Sequence, residues 1–349
     1  MWKQAVAILI LTHCSSAWAT WSMVVIPDAQ RYATTNNMAV FNSVTQWIAD
    51  NQASRNIQYV VNQGDMTDDD ANAQWIAMRS AFSTLDGVVP YNLPTGNHDY
   101  DETSPLTWHD RITHINDHFS LPQNSLNAAI TTQHVPGEVQ NSYADFTAPD
   151  GRKMLVFGLE FWPRPEVVAW ADSVASQPQF QDHTAVLATH AYMQEGPAVN
   201  GLPTSMREPG VDTILWNPLV GKNANFELVL NGHAGDGNDD NPNGWLMTAR
   251  QSSVGVNGNV VHEIGFNAQQ QPNGGNGYIR ILEFLDDGET VQVRTYSPTL
   301  DVYLTDSLNE FQITLTSVVA AATVPEPSAF LYLGLVATLA LVARRTAAG

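Results

Sequence analysis

Short apolar runs, each closed by a glycine, proline or polar residue, alternate along this chain with stretches whose apolar positions recur every three or four residues. Val24, Val25 and Ile26 end in Pro27-Asp28-Ala29-Gln30, and Ile57, Tyr59, Val60 and Val61 lead to Gly64-Asp65. Val88, Val89, Tyr91 and Leu93 lead to Gly96-Asn97-His98-Asp99, Ala185 to Ala188 lead to Thr189-His190, and Leu228 to Leu230 lead to Asn231-Gly232-His233. Runs of this length bounded by turn residues predict buried strands. Between them, Val40, Phe41, Val44, Trp47 and Ile48 fall at helical spacing, with Asn36 or Asn37 as a cap. Trp75, Met78, Phe82 and Leu85 do the same, and both stripes predict helix faces packed on a sheet. After residue 244 the alternation gives way to strand-like runs, Val260 to Ile264, Tyr278 to Phe284 and Val291 to Thr295. The pattern fits an α/β fold, a two-sheet β-sandwich flanked by helices, with no internal repeat.

Composition bounds this picture. The chain has 349 residues, 44% of them hydrophobic, with 10 Trp and 12 Phe, enough for one large domain with a buried core. Acidic residues outnumber basic ones 35 to 15, a net charge of −20. Such a surface repels phosphate backbones, so no long nucleic acid is expected as a partner. Acidic patches such as Asp68 to Asp70 and Asp239-Asp240 read as solvated loop.

The strand ends carry the candidate chemistry. They present Asp28 and Gln30, Asp65 and Asp68, Asn97 and His98, His190, and His233. Ligands gather at the C-terminal ends of strands in open α/β sheets, and glycine there lets backbone approach a bound ion closely. Carboxylates, an amide and imidazoles together suit Mn, Fe or Zn better than Ca.

In its motifs GDMTD (64–68), GNHD (96–99), the lone His190 and Gly232-His233, the chain resembles the calcineurin-like metallophosphoesterase superfamily over roughly residues 23–298. The likeness is closest to a secreted branch whose first motif reads P-D-x-Q; GGNGYIRILEF (274–284) and TYSP (295–298) match that branch too. The resemblance implies a metallo-dependent phosphatase-like αββα fold and two divalent metal ions. The reaction it implies is hydrolysis of phosphomono- or diesters by metal-activated hydroxide attack. By resemblance Asp65 bridges the ions, and Asn97, His190 and His233 complete one site. The other site would take Asp28 and Asp65, plus two histidines in the wider family. Here those positions hold Gln30, able to offer its amide oxygen, and Gly235, able to offer no side chain. That site is expected to be the weaker, with Asp236 or His262 as substitutes for the missing ligand. His98 would be the leaving-group acid, Asp99 would orient its ring, and Asp68 would orient a ligand or His98. The substrate would be a small phosphoester.

The two ends read as addresses. Residues 1–19 combine Lys3, an apolar run and Ala17-Trp18-Ala19, the pattern of a secretory signal peptide. The single cysteine, Cys14, lies inside it, and His13 makes a poor lipobox. A phosphoesterase domain is expected over 20–315, a linker over 316–323, and at 324–349 a Pro-Glu-Pro motif, an apolar segment and Arg344-Arg345. This tail resembles the PEP-CTERM sorting signal of Gram-negative bacteria, which implies an exosortase-type processing enzyme. The expected location is the periplasm, the cell surface or the extracellular matrix, with an exopolysaccharide matrix as a partner. A plain membrane anchor is the alternative, though the apolar stretch is short for one.

Several features stay open. His114 and His118 stand at i, i+4 spacing after His109, a metal spacing that also suits rim histidines. Residues 236–247 fail as a calcium loop, because Asn241 and Met247 hold the glycine and glutamate positions. No Gly-x-Ser-x-Gly elbow is present. Specificity would come from insertions 100–140 and 191–215, and Trp108, Trp162, Tyr192 and Trp216 could stack on a ring or simply pack. Against the enzyme stands a degenerate single-metal relative that binds phosphate or polysaccharide without turnover. His98 and Asp99 favour the enzyme, and Gly235 favours the binder.

Overall fold

A computed structural model describes residues 19–34, 36–103, 107–199, 202–234 and 246–316. The signal-peptide segment up to residue 18, Gly235, Asp236, the Asp239-Asp240 patch, nearly all of the linker and the whole sorting tail lie outside the described residues. In chain order the strands are β1 (Ala19–Ile26), β2 (Ile57–Asn62), β3 (Thr131–Gln133), β4 (Ser142–Thr147), β5 (Lys153–Leu159), β6 (Thr184–Thr189), β7 (Met193–Val199) and β8 (Leu202–Arg207). They continue as β9 (Phe226–Asn231), β10 (Arg250–Val254), β11 (Val260–Gly265), β12 (Ile279–Leu285), β13 (Thr290–Ser297), β14 (Val302–Leu304) and β15 (Glu310–Thr314). The helices that matter for the site are α1 (Gln30–Thr34), α2 (Met38–Asn51), α3 (Asn72–Phe82) and α4 (Pro165–Ala175), with a wide-wound segment at Asp212–Val220.

Two sheets face each other. The first is six-stranded, in the order β14-β13-β12-β1-β2 with β15 also on β13; the second is seven-stranded, in the order β10-β11-β9-β6-β5-β4-β3. Trp21, Met23, Val25, Tyr59 and Val61 of the first sheet meet Val156, Val186, Leu228, Leu230 and Ile264 of the second in a buried apolar middle layer. The opposite faces are covered by helices. Val24, Ile26 and Val60 pack under Phe41, Val44, Ile48, Trp75, Met78 and Phe82, and Leu155, Phe157 and Leu187 pack under Val167, Ala171, Leu215 and Leu219. Central strands buried on both faces need continuous apolar runs, and every residue of β6 and of β9 is buried.

The parallel pairs set the functional rim. β1 runs parallel to β2, while β5, β6, β9 and β11 run parallel to one another. The C-terminal ends of these strands therefore share one edge of the sandwich. The helical stripes are formed as the spacing predicts, although Asn37 at the start of α2 makes no side-chain capping bond.

One predicted strand is absent. The backbone of residues 88–93 pairs with the sheet only through a single Val60–Tyr91 bridge. Pro90 and Pro94 have no N–H to give, so a continuous ladder cannot form there. Asparagine side chains serve this backbone instead. Asn127 Oδ1 accepts from the Tyr91 N–H at 2.7 Å, Asn124 Nδ2 donates to the Val89 carbonyl at 2.9 Å, and Asn92 Oδ1 accepts from the Asn62 N–H at 2.8 Å. The segment still delivers Gly96 to His98 to the rim, on an extended path held by amides.

Candidate metal centre

Close backbone approach shapes the site before any side chain does. A Cβ on Gly96 would lie 2.0 Å from Asp65 Oδ1, and one on Gly232 would lie 1.9 Å from Asp28 Oδ1. Only glycine leaves room for the two carboxylates. Asp65 and His233 themselves adopt left-handed backbone, with φ of 50° and 65°, a conformation that costs about 1–3 kcal/mol and gathers at functional sites. The main chain ties the loops together: Ala29 N–H donates to the Asp65 carbonyl at 2.8 Å, and Gly232 N–H to the His190 carbonyl at 3.1 Å.

Asp28, Asp65 and His190 meet here, all buried, with one donor atom from each lying within 4.8 Å of the others. His190 Nδ1–H donates to the Gln63 carbonyl at 2.8 Å, so Nε2 is the atom turned inward. That atom lies 3.1 Å from Asp65 Oδ2 and 3.1 Å from Asn97 Oδ1. The Asp28 carboxylate accepts from Asn267 Nδ2 at 2.7 Å and from the His233 N–H at 3.1 Å. The His233 ring stands 4.9 Å from the His190 ring, centre to centre, and its Nε2 is 3.8 Å from Glu208 Oε2. Thus Asp28, Asp65 and His190 cluster together, Asn97 touches His190, and His233 flanks them.

Gln30 is present but turned. It was expected to offer its amide oxygen; here Nε2 donates to Asp65 Oδ2 at 2.9 Å and to Gln269 Oε1 at 2.6 Å, while its own Oε1 is buried without a partner. With two acceptors in front of it, only the NH₂ end of the amide makes favourable bonds. The opposite orientation would set oxygen against oxygen, which only a cation between them would favour.

His98 lies on the rim. Its N–H donates to Asp65 Oδ1 at 3.0 Å, and its ring Nδ1 bonds the Asp68 carbonyl at 2.7 Å. Glu102 Oε1 is 3.1 Å from the same nitrogen, and Asp68 Oδ1 is 3.9 Å away. Asp99 does not orient this ring, contrary to expectation. Its Oδ1 accepts from the Thr67 N–H at 2.8 Å and hydroxyl at 3.0 Å, and its Oδ2 from the Gly96 N–H at 2.8 Å. A fully buried carboxylate bonded to both loops is a clamp between GDMTD and GNHD. The ring partners are the Asp68 carbonyl and Glu102.

The electrostatics show a cluster short of positive charge. Burial pushes Asp28 up to about 7, against the pull of His190. Burial would also raise Asp65, but His190 and His98 overcome it and hold Asp65 down to about 2. His190 rises to about 10, because Asp65 and Asp28 outweigh its desolvation. His233 falls to about 4 through burial and the charge of His190. His98 rises against its burial, through Asp65, Asp68 and Glu102. Without a metal, the His190 imidazolium is the counter-ion of Asp65, while burial shifts Asp28 toward its neutral form. Two carboxylates, an inward imidazole nitrogen and the Asn97 amide oxygen form a donor set that suits a divalent transition metal.

Other readings resolve by position. His262, weighed as a substitute ligand, sits on β11 with its ring nitrogens on Ser252 Oγ and the Thr314 carbonyl, both at 2.9 Å, away from the strand ends. His114 bonds Asp70 at 2.5 Å, His118 stacks on Trp75 and His109 on Trp108. Among the described residues these histidines form no ligand cluster. Asn267 and Gln269, past the end of β11, were missed; the run Val260 to Ile264 followed by Gly-Phe-Asn-Ala-Gln repeats the pattern of the other strand ends. Glu102, Glu208 and Phe161, whose ring is 5.2 Å from that of His233, carry no such signal.

No protein-family model matches the chain. A protein of Bacillus subtilis (strain 168), described as uncharacterized protein YvnB, is 28% identical over 88% of this chain, which spans 23% of that relative's length. The purple acid phosphatase PPD1 from yellow lupin (Lupinus luteus) seeds matches with a TM-score of 0.50 at 12% identity, over 84% of this chain and 53% of that one. A dimetal phosphatase from Danio rerio matches with a TM-score of 0.46 at 11% identity, over 85% of this chain and 100% of that one. The fold is a mixed α/β arrangement with two main sheets, the metallo-dependent phosphatase fold.

Gly232→Ala is expected to displace the Asp28 carboxylate and weaken Mn²⁺ binding at least tenfold, a change of about 1.4 kcal/mol, read by calorimetry; unchanged affinity would mean that the carboxylate does not face the ion.

The metal-free protein is expected to lose stability between pH 5 and pH 8. Asp28, Asp99 and Glu208 are each pushed up to about 7 by burial, so the folded state keeps protons that the unfolded chain releases near pH 4. Stability therefore falls as pH rises from about 4 to about 7. His190 adds a loss from its ordinary 6.5 up to about 10. His233, pushed down to about 4, opposes this only below 6.5. Thermal unfolding in EDTA should give a lower Tm at pH 8 than at pH 5, and Mn²⁺ should restore it. A higher Tm at pH 8 in EDTA would contradict the charge balance described.

Proposed function

We propose that this chain is an exported metal-dependent phosphoesterase acting on small phosphomono- or diesters. The observation that carries this reading is the meeting of Asp28, Asp65 and His190 at the shared strand-end rim, with Asn97 in contact and His98 beside them. The residues that would hold divalent cations are Asp65, Asn97, His190 and His233 for one ion, and Asp28, Asp65 and Gln30 for a weaker second. Bound there, such ions supply Lewis acidity and neutralise charge on phosphoryl oxygens.

The chain's own groups do the rest. Hydrolysis forms a P–O bond to water and breaks the bond to the alcohol. His98, anchored through Nδ1–H on the Asp68 carbonyl, holds its mobile proton at Nε2, and the surrounding carboxylates keep the ring protonated further up the pH scale. That proton goes to the departing oxygen. Asp99 keeps the two motif loops in register, so that His98 and Asp65 stay on opposite ends of the same 3.0 Å contact.

The second reading is a single-metal binder of phosphate or polysaccharide without turnover. Gln30, whose nitrogen rather than oxygen faces Asp65, is what favours it. Asp65→Asn is expected to abolish Mn²⁺-dependent hydrolysis and lower bound metal. His98→Ala should retain metal and reduce kcat by about 10²–10⁴, with a smaller loss for substrates with good leaving groups. Metal binding with no hydrolysis across a phosphoester panel would establish the binder instead.

Export rests on residues 1–19 and 324–349. β1 begins at Ala19, so cleavage before Thr20 would leave the strand nearly whole. In a host with an exosortase, the intact mass is expected to show Thr20 as the first residue and to lack Arg344-Arg345. A secreted species keeping both arginines would remove the sorting proposal.

A further inference from the structure

A cavity of about 820 Å³ lies beside the candidate metal centre, between the loop that follows GNHD, the start of α4 and the segment Pro209–Lys222. Its wall includes Trp108, Trp162, Pro209 and Ile214, and its volume is in the range of about 300–1,000 Å³ that accommodates small organic ligands. The charged groups on the wall are already engaged. Arg164 bonds Glu160 at 2.8 Å, Lys222 bonds Asp172 at 2.6 Å, and Arg111 donates to the carbonyls of Phe161 and Trp162 at 2.6 and 2.8 Å. What the cavity offers a ligand is aromatic and aliphatic surface.

Two connections link the cavity to the chemistry. Phe161 is the first: its ring centre is 5.2 Å from His233 and 5.7 Å from His190 on one side, and 5.1 Å from Trp108 on the other. A single ring's thickness thus separates the histidines of the centre from the cavity wall. The second is the loop itself. The chain that carries His98 continues through Tyr100 to Trp108 and Arg111, and the Arg111 guanidinium lies 5.1 Å from the Trp108 ring. The group that would protonate the leaving alcohol is therefore near the aromatic wall in sequence.

Trp162 is held there at a cost. Its φ is 42° and that of Arg111 is 58°, and positive φ is an outlier for a bulky residue. The strained Trp162 carbonyl is pinned by Arg111, and the indole is left half-buried against the cavity rather than inside the core. Of the aromatic residues weighed for stacking from the sequence, Tyr192 is buried among core residues and Trp216 is covered by Arg207, whose guanidinium is 3.7 Å from its ring centre. Trp108 and Trp162 are the pair that line the open space.

Resting on the phosphoesterase reading, we propose that this cavity binds the leaving group of the substrate, and that the preferred substrates are phosphoesters of alcohols carrying a flat aromatic ring. The ring stacks on the Trp162 indole, with Trp108, whose own ring is stacked on His109, closing the wall beside it, and the ester oxygen is directed toward His98. Stacking of this kind contributes about 1–3 kcal/mol per ring, enough to set selectivity without any charged contact.

The test separates binding from turnover on the full chain. The probe for binding is 1-naphthalenemethanol, followed by its fluorescence with metal-free protein. The substrates are 1-naphthylmethyl phosphate and ethyl phosphate with Mn²⁺, whose alcohols are close in acidity and so differ chiefly in the ring. Wild-type protein is expected to bind the naphthyl alcohol and to favour the naphthyl ester by about tenfold or more in kcat/KM, the ratio that about 1.4 kcal/mol supplies. Ala169→Trp, on the exposed side of α4 where it faces the cavity, should fill the space and collapse that ratio; Trp162→Ala should weaken alcohol binding, and Trp162→Phe should restore it. No alcohol binding, or a selectivity ratio untouched by Ala169→Trp, would overturn the proposal even if both esters are hydrolysed. Alcohol binding that Ala169→Trp removes, with neither ester hydrolysed, would uphold the ring site and overturn the phosphoesterase reading instead.

Discussion

Two buried carboxyl groups, Asp28 and Asp65, stand close together, and His190 is the cation that faces both. Burial alone would push both carboxyl groups toward the neutral form, yet Asp65 is held far below its ordinary range by the imidazolium beside it. The donors that converge on them, Asn267 on Asp28 and Gln30 on Asp65, compensate part of that burial with hydrogen bonds. Asp28 is not held down in this way and is pushed up to about 7, so a divalent cation placed at this candidate site would take up the positive role that His190 fills for Asp65. A fold that hides two acids at one rim is stable there only if positive charge comes with them.

The backbone had to be built around this requirement. Gly96 and Gly232 pass within side-chain distance of Asp65 and Asp28, so neither position can carry a Cβ. Asp65 and His233 accept left-handed backbone to aim their groups inward, and Asp99 ties the GDMTD and GNHD loops through three hydrogen bonds from Thr67 and Gly96. These strains are tolerable because the loops spring from strands buried on both faces, whose packing the loops cannot easily disturb. Rigid strands below and strained loops above form one device.

Much of this was readable from residue order because both periods are local. A run such as Leu228-Val229-Leu230 closed by Asn-Gly-His states a buried strand and a turn within a few residues, and the stripes at Phe41, Val44, Ile48 and Trp75, Met78, Phe82 state their helices equally well. The strand expected at residues 88–93 failed for a reason that is partly local, Pro90 and Pro94, and partly distant. The groups that replace its ladder come from Asn124 and Asn127, some 35 residues further on. The end of β11 was legible in form, but nothing in the order of residues says that Asn267 reaches Asp28 across a separation of 239 positions.

By itself, then, the order of residues determined the alternation of strands and helices, the two-sheet architecture, and the chemical types gathered at the strand ends, since hydrophobic period and turn chemistry act over a few neighbours. Direction and partnership were decided only in three dimensions. Asp99 could as well have faced the His98 ring as the Gly96 N–H; Gln30 could have turned oxygen or nitrogen to Asp65; Trp108 and Trp162 could have been core or cavity wall. Each choice depends on which distant atoms arrive at hydrogen-bonding or van der Waals distance, and those arrivals are set by how two sheets, joined by long connections, pack face to face.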